Sequence, residues 1–310
     1  MDRLEAMAML LTVTEQGSLS AAGRLLHVPL ATLSRKISDL ETLLGARLLL
    51  RTTRKISLTD AGIAYVAAAR RILEQVEEAE RAAAGEFTEP KGELAITAPL
   101  LFGRLHVLPL VAEFLATYPA ITVRLLLLDR NVDLIDDHVD MAVRIGKLPD
   151  STMVATQVGA IRTVTCATPA LLAAHGVPQA PADLLRYPCV TVDTPMPTPS
   201  WRFRQPDSGA ALDIAIVPRL TLSTAEAAAD AGVRGVGVVR LLHYQVAAPV
   251  RAGALQLVLA PFEPDSAPVH LVHAARGQMP LKMRRFLDFA APRLRAALKA
   301  IGAGLPSAEA

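Results

Sequence analysis

The chain has 310 residues, which is enough for about two globular units. Hydrophobic residues make up 52% of it, and its net charge of +2 excludes a chain that is basic throughout and coats nucleic acid. Any affinity for nucleic acid must therefore be confined to part of the chain. The acidic start shows no cleavable apolar core, and the two cysteines, Cys166 and Cys189, fit a reducing compartment, so we expect a cytoplasmic protein.

The N-terminal region contains a predicted pair of short helices joined by a tight turn, after a first helix over Leu4–Gln16. Ser18 is the expected N-cap of the pair, because its hydroxyl can accept a main-chain N–H. Pro29 ends the first helix of the pair, since proline disfavours helical geometry in the residue before it. The second helix is predicted over about Pro29–Leu44.

That second helix has two unlike faces. A stripe predicted to be buried recurs in steps of four, three and four residues. Its members are Leu33, Ile37, Leu40 and Leu44. The opposite face has small and polar residues and one long cation, which suit insertion into the major groove of DNA. Its members are Ala31, Thr32, Arg35, Ser38 and Asp39. An ordinary amphipathic helix with a solvated charged face explains the same pattern equally well.

A short β-hairpin, or wing, with a basic tip is predicted after the helix, which ends at Gly45. Leu48–Leu50 and Ile56–Leu58 are its apolar strands, and Arg51–Lys55 is its tip. Seven cations stand against three anions from residue 21 to residue 60, so positive charge is concentrated here. A basic hairpin tip alone usually serves solubility, but beside a helix-turn-helix it favours contact with phosphates.

The motifs of this region resemble the N-terminal signature of LysR-type transcriptional regulators over more than forty consecutive residues. They are Gly17-Ser-Leu-Ser-Ala-Ala22, Leu33-Ser-Arg-Lys-Ile37, Leu40-Glu41, Leu44-Gly45, Arg51 and Leu58-Thr-Asp-Ala-Gly62. Pro29-Leu30 departs from the polar pair that often opens this helix in the family. Leu30 can touch a thymine methyl but cannot hydrogen-bond a base edge. Leu49-Leu50 replaces the usual Leu-Phe, which exchanges one apolar residue for another.

The resemblance implies a winged helix-turn-helix that binds a double-stranded DNA operator. We predict that Arg35 reads a base edge, with Thr32 and Ser34 at the entry to the groove. Ser18 is also counted among the predicted DNA-binding residues. Contacts to phosphates or the minor groove are assigned to Lys36, Arg51, Thr53, Arg54 and Lys55.

A long helix is predicted next, over about Asp60–Gly85, with Thr59 as its cap. Its apolar residues recur near heptad spacing, and it is too long to bury that stripe within one small domain. Pairing with a second copy is therefore favoured over packing on its own domain. The resemblance implies the same dimerisation, and the sequence leaves dimer and tetramer both open.

Beyond a Pro/Gly-marked boundary at Phe87–Gly92, short apolar runs alternate with helical patterns. The predicted strands are Leu94–Thr97, Ile121–Leu128, Met141–Ile145, Thr163–Cys166, Val190–Val192, Leu220–Leu222, Val236–Val239, Leu255–Leu259 and Val269–Ala274. The predicted helices are Leu101–Ala116, Val132–His138, Ala170–His175, Thr224–Val233 and Pro280–Ala300. A proline-rich stretch that resembles an insertion occupies Thr194–Asp207. This alternation indicates an α/β fold with parallel sheets covered on both faces.

Five short motifs of this region resemble the effector domain of the same family, in order and spacing. They are Leu101-Phe-Gly103, Leu108-Pro109, Tyr118-Pro119, Asp140-Met-Ala-Val-Arg-Ile-Gly146 and Gly235-Val-Gly237. The resemblance implies two lobes with a fold like that of periplasmic binding proteins. The predicted domains are 1–58 for the winged helix-turn-helix, 59–90 for the linker helix and hinge, and 91–310 for the effector domain. One lobe is predicted from about 93–161 and 267–305, and the other from about 162–266.

A small-molecule effector, with a carboxylate as the candidate class, is predicted to bind between the lobes. Ligands of open α/β sheets bind where strands end and helix N-termini point at the site. The predicted effector-binding residues are Thr97, Pro99, Leu100, Arg130, Arg144 and Thr224. Family members often have a hydroxyl where Pro99 stands. Helix capping or a surface ion pair is the simpler explanation for each of these residues.

No phosphate-binding loop, nucleophile elbow or cluster with metal-ligand spacing is visible in the sequence, so no cofactor, metal or catalytic site is predicted. Cys166 and Cys189 are predicted to be buried and inert, while a redox role stays open. The favoured interpretation is a sequence-specific DNA-binding transcription regulator modulated by its effector, with RNA polymerase as a candidate further partner. The alternative is a two-lobed solute-binding protein without DNA function, which would need export.

Overall fold

A computed structural model describes residues 2–51, 56–83, 89–130, 132–148, 153–193, 200–274 and 279–303. The chain divides into two compact units, Met1–Gly92 and Glu93–Ala310. Mixed α/β structure is present in both.

The first unit has four helices and a two-stranded hairpin among its described residues. In chain order they are α1 (Arg3–Gln16), α2 (Leu19–Leu25), α3 (Leu30–Leu44), β1 (Leu49–Arg51), β2 (Ile56–Leu58) and α4 (Asp60–Ala83). The strands β1 and β2 pair antiparallel, as predicted for the wing. The fold is therefore a helix-turn-helix followed by a wing and a long helix.

The predicted caps of these helices are confirmed. Ser18 Oγ accepts from the Ala21 main-chain nitrogen at 3.3 Å, and Thr59 Oγ1 accepts from that of Gly62 at 2.9 Å. Gly45 has φ 65° and ends α3 in the left-handed conformation that glycine adopts without steric cost.

The core of the first unit is built from α1, α3, the wing and the start of α4. Leu33, Ile37 and Leu40 of α3 are fully buried, as predicted, but Leu44 is 40% exposed, so that part of the prediction was wrong. The chain leaves the helix one residue later, at Gly45, and the last turn of α3 extends beyond the core. Along α4, Val66 is buried in this core while Ile63 is 57% exposed.

The second unit contains twelve strands among its described residues. They are β3 (Gly92–Ala98), β4 (Ile121–Leu127), β5 (Met141–Ile145), β6 (Met153–Ile161), β7 (Thr163–Ala167), β8 (Cys189–Val192), β9 (Ser200–Arg204), β10 (Ala211–Ala215), β11 (Pro218–Leu222), β12 (Val238–Leu242), β13 (Gln256–Val258) and β14 (Ala267–Ala274). Its α-helices are α5 (Leu100–Phe102), α6 (Leu108–Thr117), α7 (Pro169–His175), α8 (Ala225–Val233), α9 (His243–Arg251) and α10 (Leu281–Ala303). A π-helical turn, Gly103–Val107, joins α5 to α6, and 3-10 turns occupy Pro181–Arg186 and Ala260–Phe262.

Two five-stranded sheets define two lobes. Lobe I has the strand order β4-β3-β5-β14-β6, and lobe II has the order β11-β8-β12-β7-β13. The chain passes from lobe I to lobe II at Arg162, between β6 and β7, and returns between the 3-10 turn at Ala260–Phe262 and β14. Each sheet therefore contains the strands of one predicted lobe segment.

The sheets are mixed, which corrects the prediction of purely parallel sheets. β3 and β5 are parallel, as are β8 and β11, but β14 runs antiparallel to β5 and β6, and β7 runs antiparallel to β12 and β13. The antiparallel strands β7 and β14 are those that follow the two crossovers. A strand arriving from the other lobe thus enters each sheet against the direction of the parallel core.

Two other predicted elements differ from the structure, and further elements were not predicted. The predicted helix Val132–His138 is a series of turns, because the Asp133 carboxylate accepts from the main-chain nitrogens of Ile135 and Asp136 and competes with helical bonding. The predicted insertion contains β9, which pairs antiparallel with β10. Residues 194–199 lie outside the described residues, and β6, β10 and α9 were not predicted.

The helical stretch Leu100–Thr117 is long and apolar enough to cross a membrane on length and composition alone. It contributes Phe102, Val107 and Phe114 to the buried core of lobe I, where all three are at most 1% exposed. Its apolar character is accounted for by this packing.

Candidate DNA interface and effector cleft

Helix α3 presents its polar face away from the core. Arg35 is exposed, and Ala31, Ser38 and Asp39 are exposed with it, while Leu33 and Ile37 are buried beneath them. The Arg35 guanidinium is therefore held on a helix whose apolar face is fixed by packing. Thr32 and Ser34 lie half-buried beside it.

Among the described residues, the side chain of Lys36, unlike that of Arg35, forms an ion pair within the domain. Its ammonium forms an ion pair with the Glu5 carboxylate of α1, and its side chain is 24% exposed. Lys36 adjoins the buried Ile37 and points toward α1 rather than outward. The phosphate contact of Lys36 stays a prediction, and Lys36 must leave Glu5 before it can bind a phosphate.

Of the remaining predicted DNA contacts, Ser18 and Arg51 lie among the described residues and the others do not. The hydroxyl of Ser18 caps α2 and already accepts a main-chain N–H. Arg51 is the last residue of β1, where it is paired with Ile56. Thr53, Arg54 and Lys55, the predicted phosphate contacts of the wing tip, lie outside the described residues.

A groove of about 460 Å³ lies at the turn between α2 and α3. Its lining residues are Ser20, Gly23, Arg24, His27, Val28, Pro29 and Leu30. Arg24 and His27 are exposed there, and His27 adopts the left-handed conformation with φ 53°. Neither was among the predicted contacts, although the excess of cations from residue 21 to residue 60 already included Arg24. These side chains enlarge the polar surface on the α3 side of the unit.

Glu41 of α3 holds the wing against this helix. Its Oε1 accepts from the main-chain nitrogens of Leu48 and Leu49 at 2.8 and 3.0 Å, and Thr59 donates its hydroxyl to the Arg47 carbonyl at 2.7 Å. The sequence offered one sign of this role, the Leu40-Glu41 pair within the family motif. The wing and α3 are thus held as one rigid surface.

In lobe I the predicted effector residues make internal contacts. Thr97 is 2% exposed and donates its hydroxyl to the Leu126 carbonyl at 3.0 Å, and its contact with an effector stays a prediction. Pro99 precedes α5, and the Leu100 main-chain nitrogen donates to Asp129 Oδ1 at 2.9 Å. The N–H at the start of α5 is therefore already bonded to a carboxylate of the chain itself.

The two predicted arginines differ in position. Arg130 is exposed at the end of β4, and no described carboxylate forms an ion pair with it. Arg144 is half-buried and donates to the Val132 carbonyl, and burial lowers the pKa of its guanidinium. Arg144 thus contacts the main chain of lobe I, and its pairing with an acidic effector stays a prediction.

In lobe II, Thr224 caps α8, because its Oγ1 accepts from the Ala227 main-chain nitrogen at 3.3 Å. Glu226, in the first turn of the same helix, forms an ion pair with Arg104 of lobe I at 2.5 Å. The start of α8 is therefore tied directly to the opposite lobe.

The hinge between the lobes carries a second ion pair. Arg162 Nε and Nη2 each donate to the Glu263 carboxylate at 2.8 Å, so the two crossover segments are joined by a bidentate contact. This hydrogen bonding raises the pKa of Arg162 above its ordinary value. Both side chains are largely buried, with 22% and 12% exposed.

Cys166 and Cys189 are free and buried, in strands β7 and β8. Burial raises the pKa of the Cys166 thiol to about 12 and that of Cys189 to about 11, so both are protonated near neutral pH. No group of three or more His, Cys, Asp and Glu side chains that could hold a metal ion occurs among the described residues.

Two family models match the chain. The model described as "Bacterial regulatory helix-turn-helix protein, lysR family" matches residues 4–63, and the one described as "LysR substrate binding domain" matches residues 87–295. The chain belongs to the LysR-type transcriptional regulators. Its first unit is the helix-turn-helix DNA-binding domain of the family, and its second unit is the two-lobed effector-binding domain.

Individual relatives match along nearly the whole chain. An "HTH-type transcriptional regulator" of Xanthomonas campestris pv. campestris (strain 8004) is 34% identical over 284 residues, which are 91% of this chain and 83% of the relative. The "Probable HTH-type transcriptional regulator LtrA" of Klebsiella pneumoniae is 32% identical, over 92% and 93% of the two chains. The solved structure of CrgA, a LysR-type transcriptional regulator from Neisseria meningitidis, is 31% identical with a TM-score of 0.60 and covers 94% of this chain and 98% of its own.

Proposed function

We propose that this LysR-type regulator recognises its operator through the exposed face of α3, with Arg35 as the base-reading side chain. The observation that supports this proposal is the exposure of Arg35 above the buried Leu33 and Ile37, since a long cation on a rigid helix can enter a major groove. Thr32 and Ser34 line the entry to the groove. Phosphate contacts come from Arg51, Thr53, Arg54 and Lys55, from Ser18, and from Lys36 once it is released from Glu5.

Binding to the DNA upstream of the protein's own gene tests this proposal. Arg35→Ala is expected to weaken operator binding by about 1–3 kcal/mol while binding to unrelated DNA changes less, because a base contact specifies and a phosphate contact does not. Arg186→Ala is the matched control, since Arg186 is an exposed arginine of the effector domain, 77% exposed. Unchanged operator affinity in Arg35→Ala would remove Arg35 from the interface.

The effector is a small molecule that binds between the lobes, and a carboxylate remains the candidate class. Thr224 and Leu100 stand at helix starts on opposite lobes, and Pro99 precedes Leu100. Arg130 is exposed and follows Asp129, the residue that bonds to the Leu100 nitrogen. The Leu100 nitrogen is bonded to Asp129, so an acid that binds there must displace this carboxylate. Thr97 and Arg144 support the site from within lobe I.

Calorimetry of the full chain with a panel of small acids tests the effector site. For an acid that binds, Arg130→Gln is expected to weaken binding by about tenfold or more, as loss of a charged hydrogen bond does. Arg251→Gln, an exposed arginine at the far end of α9, is the control. An acid that binds Arg130→Gln as tightly as the parent does would exclude Arg130 from the site.

The regulator acts in the cytoplasm as a dimer or tetramer that pairs through α4. Exposed Ile63 and Ile72 on this helix, 57% and 38% exposed, support pairing with a second copy. RNA polymerase is a further candidate partner. Sedimentation of the parent and of Ile63→Lys tests the assembly, and an unchanged mass in the variant would place the pairing surface elsewhere.

A further inference from the structure

His243 lies at the hinge of the effector domain, at the first residue of α9. Its main-chain nitrogen donates to the Arg162 carbonyl at 2.9 Å, and its Nδ1 accepts from the Arg162 main-chain nitrogen at 3.1 Å. Arg162 is the residue at which the chain passes from lobe I to lobe II. The imidazole therefore binds directly to the crossover, at the same residue that forms the ion pair with Glu263.

This contact fixes the protonation of the ring. Because Nδ1 accepts an N–H, the neutral ring carries its proton on Nε2. His243 is 2% exposed, and its Nε2 has no hydrogen-bond partner among the described residues. A second proton on Nδ1 would place two N–H groups against each other.

A second imidazole approaches from the other lobe. His106, in the π-helical turn of lobe I, has a buried Nε2 that is likewise without a partner in the described part of the chain. Its ring lies 4.9 Å from that of Phe102 and 5.9 Å from that of Tyr244, the residue next to His243. Positive charges on His106 and His243 therefore repel each other across the lobe junction.

We propose that His243 and His106 form an acid-sensitive switch, in which their protonation breaks the bond to the Arg162 main chain and loosens the arrangement of the lobes. At neutral pH both rings are uncharged, and the hinge is held by the His243 contact together with the Arg162–Glu263 pair. In acid, one or both rings gain a charge that the packed junction does not accommodate. The switch is a property of the effector domain and does not depend on which effector binds.

Some groups around the two histidines lower the pKa values of their rings, and others raise them. Burial lowers the pKa of both rings, the charge of Arg162 lowers that of His243 further, and His243 lowers that of His106. The charge of Glu263 raises the pKa of His243. Arg240 of β12 faces Glu263 as a further cation, and Asp129 faces Tyr244. A protonated His243 therefore competes with Arg162 and Arg240 for the Glu263 carboxylate.

Pulsed electron spin resonance between one label on each lobe tests the switch in the full chain without DNA. Ala116 of lobe I and Ala252 of lobe II are exposed positions for labels, and the labelled chain is diluted with unlabelled chain so that only distances within one copy are recorded. The interlobe distance distribution is expected to be narrow at about pH 7.5 and to broaden or shift reversibly at about pH 5, the range in which histidine changes charge.

Two variants separate titration from structure. His243→Asn places a carboxamide oxygen where Nδ1 accepts the Arg162 N–H but cannot gain a proton, so its distances are expected to be the same at both pH values. His106→Gln is expected to reduce the acid response, and His175→Gln, at an exposed histidine of lobe II, is expected to leave it intact. An identical distribution for the parent at both pH values, or an acid response in His243→Asn equal to that of the parent, would overturn the proposal. Operator binding is tested separately with Arg35→Ala. Failure of that test would count against the proposed DNA interface and would leave the acid-sensitive switch unaffected.

Discussion

Gly62 lies where the main chain of Leu48 comes too close for any side chain. A Cβ at this position would stand 2.1 Å from the Leu48 carbonyl oxygen and 3.1 Å from Leu58 Cδ2. The oxygen belongs to the main chain at the start of the wing, which is itself held by Glu41. The first turn of α4 and the wing therefore depend on the absence of a side chain here.

Gly62→Ala is expected to destabilise the DNA-binding domain by about 1–3 kcal/mol, the usual cost of overpacking. Hydrogen exchange of peptides that cover residues 48–66 measures the local loss of protection. Gly302→Ala is the matched control, because a Cβ there meets nothing within 4 Å and alanine favours a helix. Equal protection of the wing in Gly62→Ala and the parent would show that the wing shifts at no cost.

The burial of the two cysteine thiols leads to a second prediction about single residues. Because burial raises the pKa values of Cys166 and Cys189 to about 12 and about 11, the reactive thiolate is rare in both near neutral pH. Alkylation by iodoacetamide is expected to be much slower in the native protein than in urea. Native labelling as fast as that of the unfolded chain would instead mark one thiol as accessible and open to redox chemistry.

At the scale of elements, the wing is tied to α3 by one carboxylate. Glu41→Ala removes the acceptor of the Leu48 and Leu49 N–H groups, and leaving such groups unpaired costs about 1–3 kcal/mol. We expect weaker operator binding and faster hydrogen exchange in β1. Glu41→Gln retains one carbonyl oxygen as acceptor and is expected to preserve most of both properties. The same loss in both variants would show that the negative charge, and not the hydrogen bonds, matters.

The elements that the sequence predicted well are those with a clear apolar pattern. Helix α3 follows from a 3.6-residue period and a glycine cap, and the wing follows from two apolar runs around a polar tip. The turns at Val132–His138 escaped prediction because the side chain of Asp133 takes the main-chain N–H groups that a helix would need. Strand β6 escaped because only Val158 and Ile161 of its nine residues are buried, so the sequence shows no continuous apolar run there.

The candidate effector site was harder to predict because its polar groups bond to residues that lie elsewhere in the chain. Thr97 ends a strand, as expected, but its hydroxyl partner is the Leu126 carbonyl of the neighbouring strand. Arg144 is turned to Val132, and the Leu100 nitrogen is taken by Asp129. Position along the chain indicated which strand ends matter. Only the tertiary contacts decide which polar groups there remain available to a ligand.

At the scale of the whole effector domain, two ion pairs connect the lobes in different environments. Arg162–Glu263 is mostly buried at the hinge, whereas Arg104–Glu226 has 55% and 41% of its side chains exposed. An exposed pair contributes little and is screened by salt, while loss of one partner from a buried pair leaves a charge without compensation. The hinge pair therefore holds the two crossovers together, and the exposed pair adjusts how the lobes meet.

Charge reversal tests the exposed pair as a contact between lobes. Arg104→Glu sets two carboxylates against each other, and Glu226→Arg sets two guanidinium groups together, so each is expected to lower the stability of the effector domain. The double variant restores an ion pair with reversed polarity, and the coupling in the double-mutant cycle is expected at about 0.2–1 kcal/mol, smaller at high salt. Arg186→Glu beside Asp183 gives the reference for a pair within one lobe. Additive effects of the two reversals at low salt would mean that the lobes meet without help from this contact.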